Sequence, residues 1–236
     1  ELTSTGLTKL MEVIRDERPN LVLVLGDTTT TFIGALASFY SSVPVGHLEA
    51  GLRTGDVAEP FPEEANRRFL STIARYHFAP TRRARRSLLG EGVPLKSIYV
   101  TGNTVVDGIQ FALRCLDNDA ELKERIDAWF SKTISHADDI YEGRSRMTLI
   151  TVHRRESFGE RFRSICHAIR RLAEKYPNDV FVYPVHLNPN VLEPVYELLG
   201  GVSNIHLVEP VSYPTMINLM RHATLIMTDS GGIQEE

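Results

Sequence analysis

Cysteine is nearly absent: the 236 residues contain two, Cys115 and Cys166. Both fall in helix-like stretches, which argues against a disulfide framework or a metal site and for a reducing, cytoplasmic setting. Long apolar runs are also missing. The longest weakly polar stretch, residues 32–46, is broken by Ser38, Ser41 and Ser42, and it falls short of the roughly 20 residues a membrane span needs. Neither charge sign is in excess. With 26 basic and 30 acidic residues the net charge is -4, which gives no electrostatic reason to expect nucleic acid or an anionic membrane as a partner. The one basic run, Arg82-Arg83-Ala84-Arg85-Arg86, lacks the interleaved aromatics of a single-strand binder and reads as a solvated helix face. Internal repeats, low-complexity tracts and coiled-coil heptads are absent. So is a charged-then-apolar leader. The sequence opens on Glu1 without a methionine and stops at Glu236 where a helix has just begun, so a chain cut at both ends is expected.

What is present is an alternation of apolar runs. Leu7, Leu10, Met11 and Ile14 recur at helical spacing before Pro19, and Leu21-Val22-Leu23-Val24-Leu25 then runs apolar between Asn20 and Gly26. Such a run reads as a parallel strand covered on both faces. The rhythm continues with helices over 30–40, 62–75 and 82–90 and strands over 43–47, 77–80 and 98–100. A longer amphipathic stretch, 105–134, precedes a polar segment, 135–146, with little periodicity. A second series follows: strands over 147–152, 180–184, 205–208 and 225–228, with helices over 159–176 and 213–221. This pattern predicts an α/β fold of two Rossmann-like, doubly wound parallel-sheet domains, 1–103 and 104–236, facing a cleft.

In such folds the polar residues that follow the strands are the ones that meet ligands. Asp27, in Gly26-Asp27-Thr28-Thr29-Thr30-Thr31, follows the first strand. It is either a site carboxylate or the N-cap of the next helix. Glu49, in His47-Leu48-Glu49-Ala50-Gly51, follows the next strand, lies next to a glycine turn and has no helix of its own to cap. Pro62-Glu63-Glu64-Ala65-Asn66-Arg67 puts a proline at a first helical position and acids in a first turn. Glu63 there is either functional or simply paired with Arg67 at i+4. In the second half, His153 is followed by Arg154 and Arg155 at a strand tip, a group suited to clamp a diphosphate. Asp229-Ser230-Gly231-Gly232 forms a turn between a strand and a new helix, whose first amides favour an anion.

Gly26-Asp27-Thr28-Thr29-Thr30, the segment from His47 to Asp56, Pro62-Glu63-Glu64-Ala65-Asn66-Arg67 and Thr101-Gly102-Asn103-Thr104-Val105-Val106-Asp107 together resemble the non-hydrolysing UDP-N-acetylglucosamine 2-epimerases. So do His153-Arg154-Arg155-Glu156-Ser157, the segment from Tyr183 to Asn190 and the segment from Asp229 to Glu236. The motifs occur in order along essentially the whole chain, and the set is far more specific than any member.

The resemblance implies a glycosyltransferase-B-like fold, a homodimer, a UDP-sugar substrate, no redox cofactor and a reaction at C2 through a 2-acetamidoglucal. It makes Asp27, Glu49 and Glu63 the acid–base candidates, with His153 assisting at the diphosphate. Arg67, Ser230, Gly231, Gly232 and Glu236 become substrate contacts, the serine and glycines at the phosphates and Glu236 at the ribose hydroxyls. Arg154 and His186 fall to a second, regulatory nucleotide-sugar site. The family's first strand, its glycine-rich basic loop and the stretch beyond Glu236 are missing, so weak or no activity is expected of these residues alone. A hydrolysing 2-epimerase, a 2-epimerase of a modified UDP-hexosamine, a glycosyltransferase and a non-catalytic nucleotide-sugar-binding module are the alternative readings.

Overall fold

The computed structural model describes residues 2–154 and 157–236. It divides into two compact units, Glu1–Thr104 and Val105–Glu236. The first contains α1 (Leu2–Glu17), β1 (Val22–Leu25), α2 (Thr29–Tyr40), β2 (Val45–Leu48), α3 (Glu63–Ile73), β3 (Tyr76–Ala79), α4 (Arg82–Gly90) and β4 (Ile98–Val100). Its strands are all parallel and adjacent in chain order, β1-β2-β3-β4. Val24, Ala35, Val45 and Leu70 form one buried cluster. Ala50, Ala79, Ala84, Leu88, Val93 and Ile98 form another. Small side chains in the second cluster let α4 ride directly on the turn after β2: a Cβ on Gly51 would stand 2.4 Å from the Ala84 carbonyl oxygen.

Three expectations change here. Among the described residues the apolar run of β1 is covered on one face only: Val24 is buried at 7% exposure, whereas Leu23 and Leu25 are 58% and 55% exposed. β1 is a sheet edge, and α2 and α3 cover the side of the sheet to which Val24 and Val45 point. A run apolar at every position carries no alternation from which a covered face could be read. Secondly, α3 begins at Glu63, with Pro62 as its N-cap rather than its first helical residue. The bonds Glu59-Pro60 and Phe61-Pro62 are both cis. Thirdly, the stretch 105–134 is two helices, α5 (Thr104–Asn118) and α6 (Ala120–Thr133). They part at Asp119, whose carboxylate accepts the Leu122 amide at 2.9 Å and caps α6.

The second unit takes in most of α5, then α6 and α7 (Ala137–Tyr141). β5 (Met147–Thr151), α8 (Glu160–Lys175), β6 (Val180–Pro184), α9 (Pro189–Leu199), β7 (Ile205–Val208), α10 (Tyr213–His222), β8 (Leu225–Thr228) and α11 (Gly231–Glu235) follow. The polar segment 135–146 holds α7, and Ile134, Ala137 and Ile140 enter the core. Five helical residues are too few to print a period. Helix α9, with Pro189 near its start and Pro194 inside it, is absent from the sequence reading. Asn188 caps it, accepting the Asn190 amide at 3.0 Å. Strand order is β7-β6-β5-β8, all parallel, so the order of addition reverses at β5: β6 and β7 extend the sheet on one side and β8 on the other. All five residues of β5 are buried, as befits a central strand with helices on both faces. Buried clusters lie around Phe162, Cys166 and Val191 on one side and around Phe130, Met147 and Leu219 on the other. Burial pushes the Cys166 thiol up to about 11, which makes it a packed, unreactive sulfur. Among the described residues no helix is long and apolar enough to cross a membrane.

Candidate functional site

In the first unit the candidates gather at the carboxyl ends of β1 and β2. β1 runs into Gly26, a left-handed position at φ 76°, whose amide donates to the Leu48 carbonyl at 3.2 Å. Thr31 Oγ1 donates to the Leu25 carbonyl at 2.7 Å. Thr28 is the N-cap of α2, its hydroxyl accepting the Thr31 amide at 3.3 Å. Asp27 therefore does not cap that helix. Its carboxylate instead meets Arg67 of α3, with Oδ2 2.5 Å from Nη2, and its carbonyl accepts from Asn66 Nδ2 at 2.8 Å.

Glu49 follows β2 in the left-handed region, φ 67°, where a non-glycine residue is uncommon and costs backbone energy. Its Oε1 accepts from Asn103 Nδ2 at 3.2 Å, and its Oε2 lies 3.3 Å from the point where a Cβ on Gly26 would stand. A side chain at residue 26 would press on that carboxylate. Glu49 also lines a cavity of about 220 Å³ together with Leu23, Leu48 and Phe78, so one carboxylate borders a largely apolar hollow. Glu63 opens α3, half-buried, and its side chain makes no hydrogen bond or ion pair among the described residues. The i+4 pair of Glu63 with Arg67 is not formed, because Arg67 reaches Asp27 and Glu64 instead.

Four residues of this cluster, each inside a motif quoted above, carry no role in the sequence expectations. Glu64 is fully buried, and its carboxylate accepts from the Thr54 amide at 3.2 Å, Arg67 Nη1 at 3.2 Å and Arg68 Nε at 3.5 Å. Arginines three and four residues on were the available signal. Asn66 and Asn103 carry no signal of their own. His47, inside a quoted motif but given no role, is completely buried, and its Nε2 lies 2.8 Å from the Gly26 carbonyl. A carbonyl only accepts, so Nε2 bears the proton. Burial, opposed by that hydrogen bond, lowers the His47 pKa to about 4, and the ring is neutral in ordinary buffers.

The second unit has its own cluster at the tips of β5, β6 and β8, around the point of reversal where open α/β sheets take ligands. Asp229 follows β8 and accepts the His153 amide at 3.0 and 3.1 Å and the Arg154 amide at 2.8 Å. Its Oδ1 lies 3.9 Å from His153 Nδ1. The exposed His186, two residues beyond β6, stacks on His153 with centroids 5.4 Å apart and planes 7° from parallel. His186 Nδ1 accepts the Asn188 amide at 3.1 Å. Arg154 Nη2 stands 3.2 Å from where a Cβ on Gly231 would lie, so this guanidinium crosses the turn because residue 231 has no side chain. Ser230 is the N-cap of α11 without a side-chain hydrogen bond to it, and its amide donates to Thr228 Oγ1 at 2.9 Å. Gly232 is exposed beside it, and its carbonyl accepts the amide of Glu236, the last residue, at 3.1 Å. Arg155 lies outside the described residues, as does Glu156 of the same motif. No group of three or more histidine, cysteine or acidic side chains suited to a metal ion occurs among the described residues.

The family model described as UDP-N-acetylglucosamine 2-epimerase matches residues 1–236. A probable UDP-N-acetylglucosamine 2-epimerase of Ralstonia solanacearum is 49% identical over 236 residues, and the UDP-N-acetylglucosamine 2-epimerase of Yersinia pestis is 48% identical over the same span. In both cases the match covers 100% of this chain and 61% of the relative, so the chain spans a little under two thirds of their length. Among solved structures, the UDP-GlcNAc 2-epimerase of Neisseria meningitidis bound to UDP-GlcNAc superposes with a TM-score of 0.90 at 45% identity, over 100% of this chain and 61% of that one. The Methanocaldococcus jannaschii enzyme in complex with UDP-GlcNAc and UDP gives a TM-score of 0.79 at 31% identity, over 98% and 61%.

Proposed function

The chain belongs to the UDP-N-acetylglucosamine 2-epimerase family, and on that premise we propose that it carries the catalytic core of an enzyme interconverting UDP-N-acetylglucosamine and UDP-N-acetylmannosamine. A base removes the C2 proton. The released electron pair forms a C1–C2 double bond as the C1–O bond breaks and UDP departs with its electrons, leaving 2-acetamidoglucal. UDP oxygen then re-forms the bond to C1 while an acid delivers a proton to the opposite face of C2. The cycle is redox-neutral, nothing is lost to water, and no redox cofactor is required.

That sequence demands a positioned base, a positioned acid and a grip on the diphosphate. Asp27, Glu49 and Glu63 supply the base and the acid, and Arg67 contacts the substrate. His153 assists the leaving diphosphate, the amides around Ser230, Gly231 and Gly232 hold its oxygens, and Glu236 meets the ribose. Arg154 and His186 belong to a second, regulatory nucleotide-sugar site. The whole enzyme works as a homodimer.

One observation carries the reading: Asp27 and Glu49 end two hydrogen-bonded parallel strands, and each carboxylate is fixed by a donor, Arg67 in one case and Asn103 in the other. Proton NMR of UDP-N-acetylglucosamine incubated with the whole protein tests it. The expected result is UDP-N-acetylmannosamine at equilibrium with the substrate and no free sugar. Accumulation of UDP with free N-acetylmannosamine overturns the non-hydrolysing reading, and binding without turnover overturns the enzymatic one.

A further inference from the structure

We infer that Glu64 is a positioning residue that sets the Asp27 carboxylate through Arg67. The inference rests on the reading of Asp27 as an acid–base group.

Glu64 shows 0% exposure, and a carboxylate removed from water is tolerated only with several good partners. Its three donors come from two places. The Thr54 amide belongs to the loop after β2, and Arg67 and Arg68 belong to its own helix. Arg68 and Thr54 already give it a cation and an amide. What Arg67 adds is connection to Asp27. The guanidinium is a rigid planar fork, and here one tine, Nη1, meets Glu64 Oε2 at 3.2 Å while the other, Nη2, meets Asp27 Oδ2 at 2.5 Å. Fixing one tine fixes the plane of the other.

Near Asp27 stand Arg67 of α3, which pairs with it, His47 of β2 and Glu49 at the tip of β2, with Glu64 behind Arg67. His47 is neutral, so Arg67 is the cation holding Asp27, and Glu64 holds that cation from behind. Asn66 Nδ2 meanwhile anchors the Asp27 backbone. Asp27 is thereby held at its carbonyl and at its carboxylate by consecutive residues of α3. Proton transfer needs heavy atoms within about 3 Å, and a misplacement near 1 Å costs on the order of a hundredfold in rate.

The test is a double-mutant cycle in the whole protein, read as C2 turnover. Glu64→Gln keeps an acceptor for Thr54 and removes the charge that binds Arg67. The expected result is a fall in kcat of about tenfold or more, larger than the change in KM. Arg67→Gln lowers turnover as well, and the double variant falls within about twofold of Arg67→Gln alone, because both changes break the same connection. Losses that multiply overturn the inference, as does wild-type kcat in Glu64→Gln. If Glu64→Gln does not fold by circular dichroism, Glu64→Asp keeps the charge and shortens its reach. A tenfold drop in kcat is expected there, and wild-type kcat overturns the inference. Asp27→Asn is assayed alongside: retained turnover in that variant overturns the acid–base reading and the inference with it, whereas an inactive Asp27→Asn beside an unaffected Glu64→Gln overturns the inference alone.

Discussion

His153 and His186, from the tips of the neighbouring strands β5 and β6, lie face to face, 5.4 Å between centroids and 7° from parallel. The family resemblance assigns them to different sites, a diphosphate contact and a regulatory one. Rings in contact do not act independently. Replacing His186 by alanine removes the surface against which His153 rests, so KM for the nucleotide sugar is expected to rise about threefold, a change worth under ~1 kcal/mol. Steady-state kinetics read it, and an unchanged KM shows that the stack plays no part in substrate binding.

Asp229 ties the His153-Arg154 segment to the turn after β8. Asparagine keeps one accepting oxygen, which at the Oδ2 place still accepts both amides, but its NH2 group then stands where Oδ1 accepted the His153 amide and sets donor against donor. The cost is about 1–3 kcal/mol. Asp229→Asn is expected to melt several degrees lower and to bind UDP more weakly by calorimetry. A melt and an affinity equal to the parent's contradict the role.

Gly51 sits at φ 89°, and a Cβ there would lie 2.4 Å from the Ala84 carbonyl oxygen and 2.9 Å from its carbon. Backbone cannot yield as a side-chain end can. Gly51→Ala is expected to cost about 3 kcal/mol or more, read as a lower denaturation midpoint or loss of folded protein. A midpoint within experimental error of the parent's contradicts this packing of α4.

The His47 ring makes stability depend on pH in a defined window. Folded, it takes a proton only near pH 4, whereas unfolded it titrates at 6.5. Between those values the unfolded chain binds more protons, so stability falls as the solution is acidified from about 6.5 to 4. The loss from this residue reaches about 3 kcal/mol at most. Burial lowers His77 in the same direction. His47→Gln retains a donor toward the Gly26 carbonyl and does not titrate, so its melting temperature is expected to vary less with pH across that window. Identical slopes for parent and variant contradict the assignment.

The places of Asp27 and Glu49 are legible in the sequence because each follows a run that forms a strand, β1 in one case and β2 in the other. The role of Glu64 is not legible. Two adjacent glutamates at a helix start do not say which one the helix turns inward, and the answer depends on a loop backbone, Thr54, that packs against it. The bare face at Leu23 and Leu25 is hidden for a related reason, since apolarity at every position of β1 gives no sign of which side is covered. Helix α9 goes unread because Pro189 and Pro194 punctuate it, although the first stands where a proline suits a helix and the second is absorbed inside it. The contact of His153 with His186 requires the parallel register of β5 and β6, which no local pattern contains.

The most direct measurement of the central claim is isotopic. The whole protein is incubated with UDP-N-acetylglucosamine in deuterium oxide, and the recovered nucleotide sugars are read at C2 by NMR and mass spectrometry. Removal and return of the C2 proton predict one deuteron at C2 of UDP-N-acetylmannosamine and, with time, of the substrate pool, lost when Asp27 and Glu49 are both replaced by their amides. Epimerised product carrying only protium at C2, or wash-in undiminished in that double variant, contradicts the account.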